Sequence, residues 1–399
     1  MGDDSCLPVL ALNAGSSSLK FGLYLVGAHA SRMLVSGMAE QRDGKYGAFT
    51  AKDADGRRLA SDPRPAGAPS EAIGRIAELI AAHGFPAPLA IGHRIVHGGP
   101  DCRRHALIDK RVMQQLEAAT VFAPLHLPPA LSLLRCAQER YRDTPQAACL
   151  DTAFHAGLPD VARTLPIPRE LRALGIERYG FHGLSYVSIV RQLDKQVPPR
   201  VVIAHLGNGA SVAAVAHGRS IDTSMGLTPS GGLIMSTRCG DIDPGVLAYV
   251  VRELKYDAVK LQALVDQQSG LLGISGISSD MRELRAAAAS NTDARLAIDM
   301  FCYSVRKHIG SMVAALGGVD LLVFTGGIGE NDAVARASIC EGLNGLGIGA
   351  ATAPNRTKDE FQNHPSPPDG HRSRLRCGVR VMESQEDKQV AWRTWQLVT

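Results

Sequence analysis

The sequence has 399 residues, of which 45% are hydrophobic and 21% are charged, and its formal net charge at pH 7 is +4. This length suits two domains, and the composition is typical of a soluble globular protein. The weak, dispersed positive charge gives no support for nucleic acid as a main ligand, although it permits small anions, which need only local positive charge. No stretch has the length and hydrophobicity of a transmembrane span, so no membrane association is expected.

Neither the first residues nor the cysteines indicate export. Residues 1–6 lack the basic and apolar regions of a signal peptide. The eight cysteines are scattered, without a C-x-x-C pair or metal-ligand spacing, which is typical of reduced thiols. We therefore expect a cytoplasmic protein.

The first part of the chain begins with a strand–loop–strand pattern. Residues 9–12 are apolar, residues 13–18 are small, and residues 19–26 resume apolar alternation, which predicts a β-hairpin. Apolar spacings of three and four predict helices over residues 70–83 and 110–119.

A similar hairpin pattern returns halfway along the chain. Residues 201–204 and 212–216 are apolar, and a glycine-containing loop at residues 205–211 separates them. The recurrence indicates a duplicated architecture, although two unrelated glycine-rich hairpins would produce the same pattern.

The remaining patterns complete a mixed α/β chain with two lobes. Residues 244–267 and 281–316 are expected to form long helices, and residues 390–398 a closing helix. Residues 353–376 are polar and contain proline, asparagine and histidine, which predicts an irregular segment.

Three glycine-containing loops could hold phosphates: residues 13–20, 205–211 and 325–331. Tight glycine turns let backbone N–H groups converge on an anion. None of the three matches a Walker or a dinucleotide-binding pattern, and each alone is more often a structural turn. Together they favour a nucleotide held between two lobes; the competing interpretations are a sugar-binding protein and a chaperone-like ATPase.

Charged side chains adjoin further glycines. Arg94 lies between two histidines, His182 between two glycines in the run YGFHG, Arg238 in a polar loop, and Asp151 directly after an apolar run. Each alone is more often structural. As a set they suit phosphoryl transfer, in which a protein positions groups and neutralises charge rather than forming covalent bonds.

At this point the chain resembles the acetate kinase family, whose motifs occur in the same order almost from end to end. The matching stretches are NAGSSSLK (13–20), HRIVHGG (93–99), DTAFH (151–155), YGFHG (179–183), HLGNGAS (205–211), DTSMGLTP (222–229), TRCGDIDP (237–244), SGLLGISGISSDMR (269–282) and GIGEN (327–331).

The resemblance implies a sugar kinase/Hsp70/actin fold, with two lobes of ribonuclease-H-like core and a cleft between them. It also implies a homodimer and the reversible reaction of ATP and acetate to ADP and acetyl phosphate, with Mg²⁺ or Mn²⁺. The expected N-terminal lobe, on the metal and acyl side, is residues 1–150 with 386–399. The expected C-terminal lobe, on the nucleotide and dimerisation side, is residues 151–385.

Carried over position by position, the resemblance also implies site residues. The metal-associated residues are Asn13 and Glu386. The catalytic residues are Arg94, which binds the carboxylate, Asp151, His182 and Arg238. The acyl pocket is formed by Arg94, Val96, Leu125, Phe181 and Pro229. The nucleotide contacts are Lys20, His205, Leu206, Gly207, Asn208, Gly209, Asp280, Met281, Arg282, Gly327, Ile328, Gly329, Glu330 and Asn331.

The chemistry limits the role of Asp151. A carboxylate acceptor is already ionised at pH 7 and needs no general base to attack phosphorus. We therefore expect Asp151 to orient an arginine or a metal-bound water rather than to shuttle a proton.

The sequence departs from the family pattern at Leu127, Leu184, Tyr186 and Gly231, where the pattern is usually different and mostly polar. Lower activity or a changed acceptor size could follow. The alternatives are a propionate or other short-chain acyl kinase, a divergent nucleotide-binding relative without normal activity, and a chaperone-type ATPase, for which the chain has no separate substrate domain.

Overall fold

The structure is a computed structural model that describes residues 6–15, 18–42, 45–62, 67–349 and 377–399. The predicted irregular segment at 353–376, and Ser16 and Ser17 of the first glycine loop, lie outside these residues. The chain divides into two compact units. Unit 1 is Met1–Ala156, Gly183–Ser188 and Gln385–Thr399, and unit 2 is Gly157–His182 and Ile189–Ser384.

This division differs from the expected lobes at three short segments, since unit 1 also takes residues 151–156, 183–188 and 385. The reason is local. Asp151 directly continues a strand of the unit 1 sheet, and its N–H donates to the carbonyl of Ile95 at 2.9 Å. The N–H of Gly183 in turn donates to the carbonyl of Asp151 at 2.9 Å, which ties that short segment to the same sheet.

The described strands of unit 1 form one eight-stranded sheet. The strands are β1 (Leu7–Ala14), β2 (Ser18–Val26), β3 (Ser31–Arg42), β4 (Lys45–Asp53), β5 (Arg58–Asp62), β6 (Ala90–Ile95), β7 (Ala106–Leu107) and β8 (Gln146–Leu150). Their order is β5-β4-β3-β2-β1-β6-β8-β7. The pairing of β1 with β2 confirms the first predicted hairpin.

The described strands of unit 2 form a five-stranded sheet. The strands are β9 (Arg200–Leu206), β10 (Ala210–Ala216), β11 (Arg219–Thr223), β12 (Leu321–Thr325) and β13 (Gly378–Val381). Their order is β11-β10-β9-β12-β13. The antiparallel pairing of β9 with β10 confirms the second predicted hairpin.

The two sheets share one topology, which confirms the duplicated architecture. In unit 1, β3, β2 and β1 are antiparallel neighbours, and β1, β6 and β8 are parallel neighbours. In unit 2, β11, β10 and β9 repeat the antiparallel half, and β9, β12 and β13 repeat the parallel half. A coincidence of two hairpins would not reproduce the parallel half.

The described helices are α1 (Pro69–Ala82), α2 (Lys110–Ala118), α3 (Leu127–Arg140), α4 (Asp160–Arg163), α5 (Arg169–Arg172), α6 (Gly183–Leu193), α7 (Pro244–Arg252), α8 (Ala258–Gln267), α9 (Gly270–Ser275), α10 (Met281–Ala287), α11 (Thr292–Leu316), α12 (Gly326–Asn331), α13 (Ala333–Glu341) and α14 (Glu386–Val398). The helices predicted near residues 70, 110 and 390 are confirmed. Within the described ranges, no helix is long and apolar enough to cross a bilayer.

The predictions of one long helix over 244–267 and another over 281–316 are wrong, because each of these segments forms two helices. Lys255, at a φ of 57°, follows α7 and interrupts the helical backbone. Asp257 then caps α8 by accepting the N–H of Lys260 at 2.8 Å. Asn291 caps α11 in the same way, with the N–H of Ala294 at 2.9 Å. Short polar side chains are favoured at helix caps and disfavoured in helix interiors. The apolar periodicity alone did not reveal either break.

The unit 1 sheet is covered on both faces. Leu10 and Leu12 of β1 belong to a core cluster that includes residues of α1 and α3, whereas Val9 and Ala11 belong to a second cluster with α14. This alternation follows from the period of two along a strand. Gly92 of β6 lets α14 approach closely, because a Cβ there would lie 2.2 Å from Oγ1 of Thr394.

A buried histidine in β6 gives the first prediction. His93 is buried, and its Nε2 lies 2.7 Å from Oε1 of Gln146. Burial lowers the pKa of His93 to about 4, although the hydrogen bond with Gln146 acts to raise it. Between pH 6.5 and 4 the unfolded chain therefore binds a proton that the native chain does not, so stability falls as the pH falls. We expect His93→Gln to reduce the slope of unfolding free energy against pH by up to about 1.4 kcal/mol per pH unit in this range.

Urea unfolding at several pH values measures that slope. His29→Gln, at an exposed position, is the control for loss of an imidazole. Equal slopes for His93→Gln and the unaltered chain would contradict the assignment.

Candidate active site

Arg94 and Asp151 form a buried ion pair at the ends of neighbouring parallel strands. Arg94 lies in β6 opposite Cys149 of β8, and Asp151 directly follows β8. Nη2 of Arg94 lies 2.5 Å from Oδ2 of Asp151, and Nε lies 3.1 Å from each carboxylate oxygen. The side chains are 15% and 1% exposed. This fork-to-carboxylate contact fixes the guanidinium plane.

The charges of this pair are set by burial and by each other. Burial raises the pKa of Asp151, and the Arg94 guanidinium opposes that rise. Burial also acts to lower the pKa of Arg94, but the carboxylates of Asp151 and Glu386 more than offset it, so the pKa of Arg94 is raised. Arg94 is therefore a permanent cation whose side chain is largely buried.

Asn13 joins this pair to the C-terminal helix of unit 1. Its Oδ1 accepts from Nη1 of Arg94 at 3.2 Å, and its Nδ2 donates to Oδ1 of Asp387 at 2.8 Å. These two hydrogen bonds determine the orientation of the Asn13 side-chain amide. Lys20 pairs with Asn13 across β1 and β2, and its charge acts on Asp387.

Glu386 and Asp387 open α14. The charge of Glu386 acts on both Arg94 and Asp151, which places it in the same cluster. Burial raises the pKa of Asp387, and the hydrogen bond from Asn13 opposes that rise. Asp387 was not among the residues predicted from the sequence; the available signal was a second carboxylate in the first helical turn, where the helix dipole favours negative charge.

The donor set of Asn13, Glu386 and Asp387 consists of oxygen atoms, which suits a hard cation such as Mg²⁺. Across the described residues, no group of three or more His, Cys, Asp and Glu side chains is arranged to hold a metal ion. Mg²⁺ typically takes only a few ligands from the protein, because it keeps several of its water molecules. The carboxylate and amide oxygens of these residues are of the kind that Mg²⁺ prefers, while Oδ1 of Asn13 accepts from Arg94 and its Nδ2 faces Asp387.

In unit 2 the turn between β9 and β10 lies against two basic side chains. The N–H of Gly207 donates to the carbonyl of Gly209 at 3.1 Å and closes the turn. A Cβ on Gly209 would lie 3.1 Å from Nε2 of His182 and 3.3 Å from Nη1 of Arg238. The structure thus brings His182, Arg238 and this glycine loop together.

His182 is held in a strained conformation. Its φ of 57° lies in the left-handed region, which is uncommon for a non-glycine residue. Nδ1 lies 2.8 Å from Oγ of Ser211, and the imidazole stacks on that of His205 with centroids 4.2 Å apart. These contacts aim the other ring nitrogen, Nε2, at the Gly209 turn.

Arg238 is positioned by the chain around it. Its Nη1 donates to the carbonyl of Pro229 at 3.1 Å. Gly270, at a φ of 63°, allows close backbone packing there, because a Cβ would lie 2.2 Å from the carbonyl of Met235. The predicted site residues Pro229 and Arg238 are therefore in contact.

The segment after β12 forms the third glycine loop. Gly326, at a φ of 80°, leaves no room for a Cβ, which would lie 2.7 Å from the carbonyl of Leu206. Oε1 of Glu330 accepts the N–H groups of Gly326 at 2.8 Å and of Ser384 at 3.0 Å. Nδ2 of Asn331 donates to the carbonyl of Gly327 at 2.9 Å. The predicted residues 327–331 thus form a short, internally braced helix.

A buried arginine behind this helix was missed by the sequence analysis. Arg336 is 1% exposed, and its Nη1 donates to the carbonyls of Gly329 at 2.9 Å and Glu330 at 3.0 Å. Arginine is almost never fully buried unless it is paired. The signal was an arginine inside the otherwise small and apolar stretch after the glycine loop.

Asp280 and Arg282 form a separate, exposed pair at the start of α10. Asp280 accepts the N–H of Arg282 at 2.8 Å and forms a salt bridge with its side chain at 2.6 Å. Met281 between them is buried. A salt bridge of 2.6 Å from Arg285 to Asp332 joins α10 to the end of the glycine-loop helix.

The predicted acyl-pocket residues are divided between the units. Val96 is buried and Leu125 is 39% exposed in unit 1, while Phe181 and Pro229 are buried in unit 2.

Three positions that depart from the family pattern are packed in unit 1. Leu127 and Leu184 belong to separate hydrophobic cores. Tyr186 is fully buried, and its ring packs against those of Phe154 and His155. These side chains contribute to packing, which is what their apolar character favours.

The duplicated sheets, the charged groups at the ends of parallel strands and the braced glycine loops define a phosphotransferase of the two-domain, actin-like class. The sequence profile of the Acetokinase family matches residues 8–386. The chain belongs to this family.

Named relatives agree with this assignment. An acetate kinase from Clostridium botulinum (strain Okra / Type B1) is 42% identical over 86% of this chain and 88% of its own. An acetate kinase from Deinococcus deserti is 44% identical over 85% and 86%. The crystal structure of a propionate kinase from Francisella tularensis has a TM-score of 0.85 at 33% identity, covering 98% of this chain and 100% of its own. That of Porphyromonas gingivalis acetate kinase has a TM-score of 0.82 at 31% identity over 98% and 100%.

The buried ion pair gives a stability prediction. Arg94→Gln leaves the Asp151 carboxylate buried without its cation, which should lower the free energy of unfolding by about 3–5 kcal/mol at pH 8. Arg135→Gln is the control, because the salt bridge of Arg135 with Glu117 is about half exposed and should contribute less than about 1 kcal/mol. Urea unfolding followed by tryptophan fluorescence measures both. Equal losses in the two variants would contradict a buried, charged pair.

Proposed function

We propose that this protein transfers the γ-phosphoryl group of ATP to the carboxylate of acetate, reversibly, giving ADP and acetyl phosphate. The observation that carries the proposal is the buried Arg94 cation, which Asp151 and Asn13 hold in one orientation in a chain of the Acetokinase family. Relatives that are 42–44% identical are named acetate kinases.

Arg94 binds the acceptor carboxylate in this proposal. Its guanidinium presents a planar fork of donors that suits a carboxylate. Asp151 uses part of that fork and holds the rest in place. Asp151 therefore acts through Arg94 and accepts no proton in the reaction, because acetate is already ionised at pH 7.

Charge neutralisation is then the main catalytic task. The carboxylate must approach a triphosphate of the same sign, and the transition state spreads negative charge over the equatorial phosphoryl oxygens. We assign His182 and Arg238 to those oxygens, since both border the Gly209 turn. No bond to the protein forms, and the carboxylate oxygen displaces ADP in line.

The nucleotide is assigned to the glycine loops of unit 2. Residues 205–209 and 327–331 present backbone N–H groups where glycine permits close approach. Lys20 and the exposed pair Asp280–Arg282, with Met281, are assigned to the nucleotide by the family resemblance.

Mg²⁺, or Mn²⁺ in its place, is assigned to Asn13 and Glu386, with Asp387 as an additional oxygen donor. An ion held by these residues would neutralise phosphate charge. The hydrogen bond between Asn13 and Asp387 supports this assignment, since it places the start of α14 beside Asn13. Location in the cytoplasm stays a prediction from the sequence.

Acceptor size is the open part of the proposal. Val96, Leu125, Phe181 and Pro229 are assigned to the acyl group. Propionate is the alternative acceptor, because one methylene in an apolar pocket discriminates by only about 1–3 kcal/mol. The similarity to a propionate kinase structure supports keeping this alternative.

A homodimer is supported by an apolar surface on unit 2. Leu296, Met300 and Tyr303 are exposed on α11 at spacings of four and three, so they share one face of the helix. Val246 and Tyr249 are exposed on α7 at a spacing of three. Exposed aromatic and aliphatic side chains of this kind are typical of interfaces.

An acyl phosphate assay tests the reaction. With ATP, Mg²⁺ and hydroxylamine, we expect hydroxamate from acetate and less from propionate. His182→Ala should lower kcat by about a hundredfold or more, because it removes a donor to the developing charge. His217→Ala is a matched control, since His217 also has a positive φ but is exposed. Phosphate release from ATP without hydroxamate would favour the ATPase alternative, and no turnover would favour a nucleotide-binding relative.

Light scattering tests the dimer. Tyr303→Asp places a charge on the apolar α11 surface at its most exposed side chain, so we expect the molar mass to fall from that of two chains to that of one. Val161→Asp changes a side chain that is 92% exposed on α4 and should leave the mass unchanged. A mass of two chains for Tyr303→Asp, or of one chain for the unaltered protein, would refute this interface.

A further inference from the structure

Unit 1 contains a cavity that the proposed reaction does not use. Its volume is about 290 Å³, and its wall comes from the segment before β7, the turn after β8, the start of α6 and the end of α14. Among its lining residues are Arg104, His105 and Arg393, and the described part of the chain places no carboxylate in its wall. The cavity is therefore suited to an anion rather than a cation.

Arg393 is the most informative residue of this cavity. Its Nη1 donates to Oε1 of Gln396 at 2.9 Å, and its guanidinium lies 4.7 Å from the ring centroid of Trp392. Its Nε is buried and has no hydrogen-bond partner among the described residues. Burial lowers the pKa of Arg393, yet arginine stays charged in proteins. A partly buried guanidinium without a carboxylate partner in the described chain needs a counter-ion.

His105 adds a neutral donor. Its Nδ1 accepts the N–H of Leu150 at 3.0 Å, so the proton of the neutral ring is on Nε2. Burial, assisted by the charge of Arg393, lowers the pKa of His105 to about 4. The ring is therefore a neutral N–H donor at pH 7, and the charges of the cavity come from Arg104 and Arg393.

Apolar side chains complete the wall. Phe154, Val187 and Leu397 line the same cavity as the two arginines. A guanidinium fork binds carboxylate and phosphate oxygens, while apolar side chains favour a ligand with some carbon body.

We propose that this cavity is a binding site for a small organic oxyanion, a carboxylate or a phosphate ester, held by Arg393 and Arg104 with its carbon body against Phe154. The site is separate from the one assigned to acetate and ATP. Its wall includes Gly183, whose N–H donates to the carbonyl of Asp151. A bound ligand would therefore lie next to Gly183, which is hydrogen-bonded to the residue that pairs with Arg94.

Isothermal titration calorimetry tests the proposal. The protein is first saturated with acetate and MgADP, so that the proposed active site is occupied. Glycerol 3-phosphate and succinate are then titrated as the phosphate and carboxylate probes, with glycerol as the uncharged control. We expect millimolar or tighter binding of at least one anion and none of glycerol. The anion that binds more tightly shows whether the site prefers a phosphate ester or a carboxylate.

Variants locate the site. Arg393→Gln and Arg104→Gln should each weaken binding of the anion by about tenfold or more, the effect of losing a charged hydrogen bond. Arg142→Gln removes an exposed arginine elsewhere in unit 1 and should change nothing. If Arg393→Gln does not fold, Arg104→Gln decides, because Arg104 is exposed. Absence of anion binding, or equal affinities in Arg104→Gln and the unaltered chain, would overturn the proposal.

Discussion

The contact between Arg94 and Asp151 is the constraint on which unit 1 depends. A buried guanidinium and a buried carboxylate are each costly alone, and they persist together only when their geometry is fixed. Parallel pairing of β6 with β8 brings the two strand ends side by side. Asn13 from β1 and Asp387 from α14 then extend the contact into a hydrogen-bonded chain across the sheet end. The helix is thereby part of the site as well as part of the core.

The duplication gives unit 2 the same strand framework with different chemistry at its strand ends. Where unit 1 presents an ion pair, unit 2 presents glycine turns that approach His182 and Arg238 closely. Glycine is required at Gly326, where φ is 80° and a Cβ would lie 2.7 Å from the carbonyl of Leu206, whereas at Gly209 a Cβ would be in tight contact, 3.1 Å from Nε2 of His182. Unit 1 thus presents a paired arginine at its strand ends, and unit 2 presents basic side chains beside tight glycine turns.

Much of this could be predicted from the sequence because it is encoded locally. Apolar alternation predicted both hairpins, and the parallel topology explains why Arg94 and Asp151 meet. The rest depends on contacts distant in sequence. The partnership of Asp387 with Asn13 spans 374 positions, and the burial of Arg336 behind the glycine loop depends on how α13 packs. The helix break at Lys255 depends on a single backbone conformation that periodicity does not reveal.

The central claim is that Asp151 serves the reaction by holding Arg94 rather than by moving a proton. A double-mutant cycle with Asp151→Asn and Arg94→Lys, read out as kcat/KM for acetate, tests it most directly. If Asp151 acts through Arg94, the second substitution adds little to the first, and the double variant is about as slow as the slower single variant. Losses that multiply in the double variant, as for two independent functions, would contradict the account.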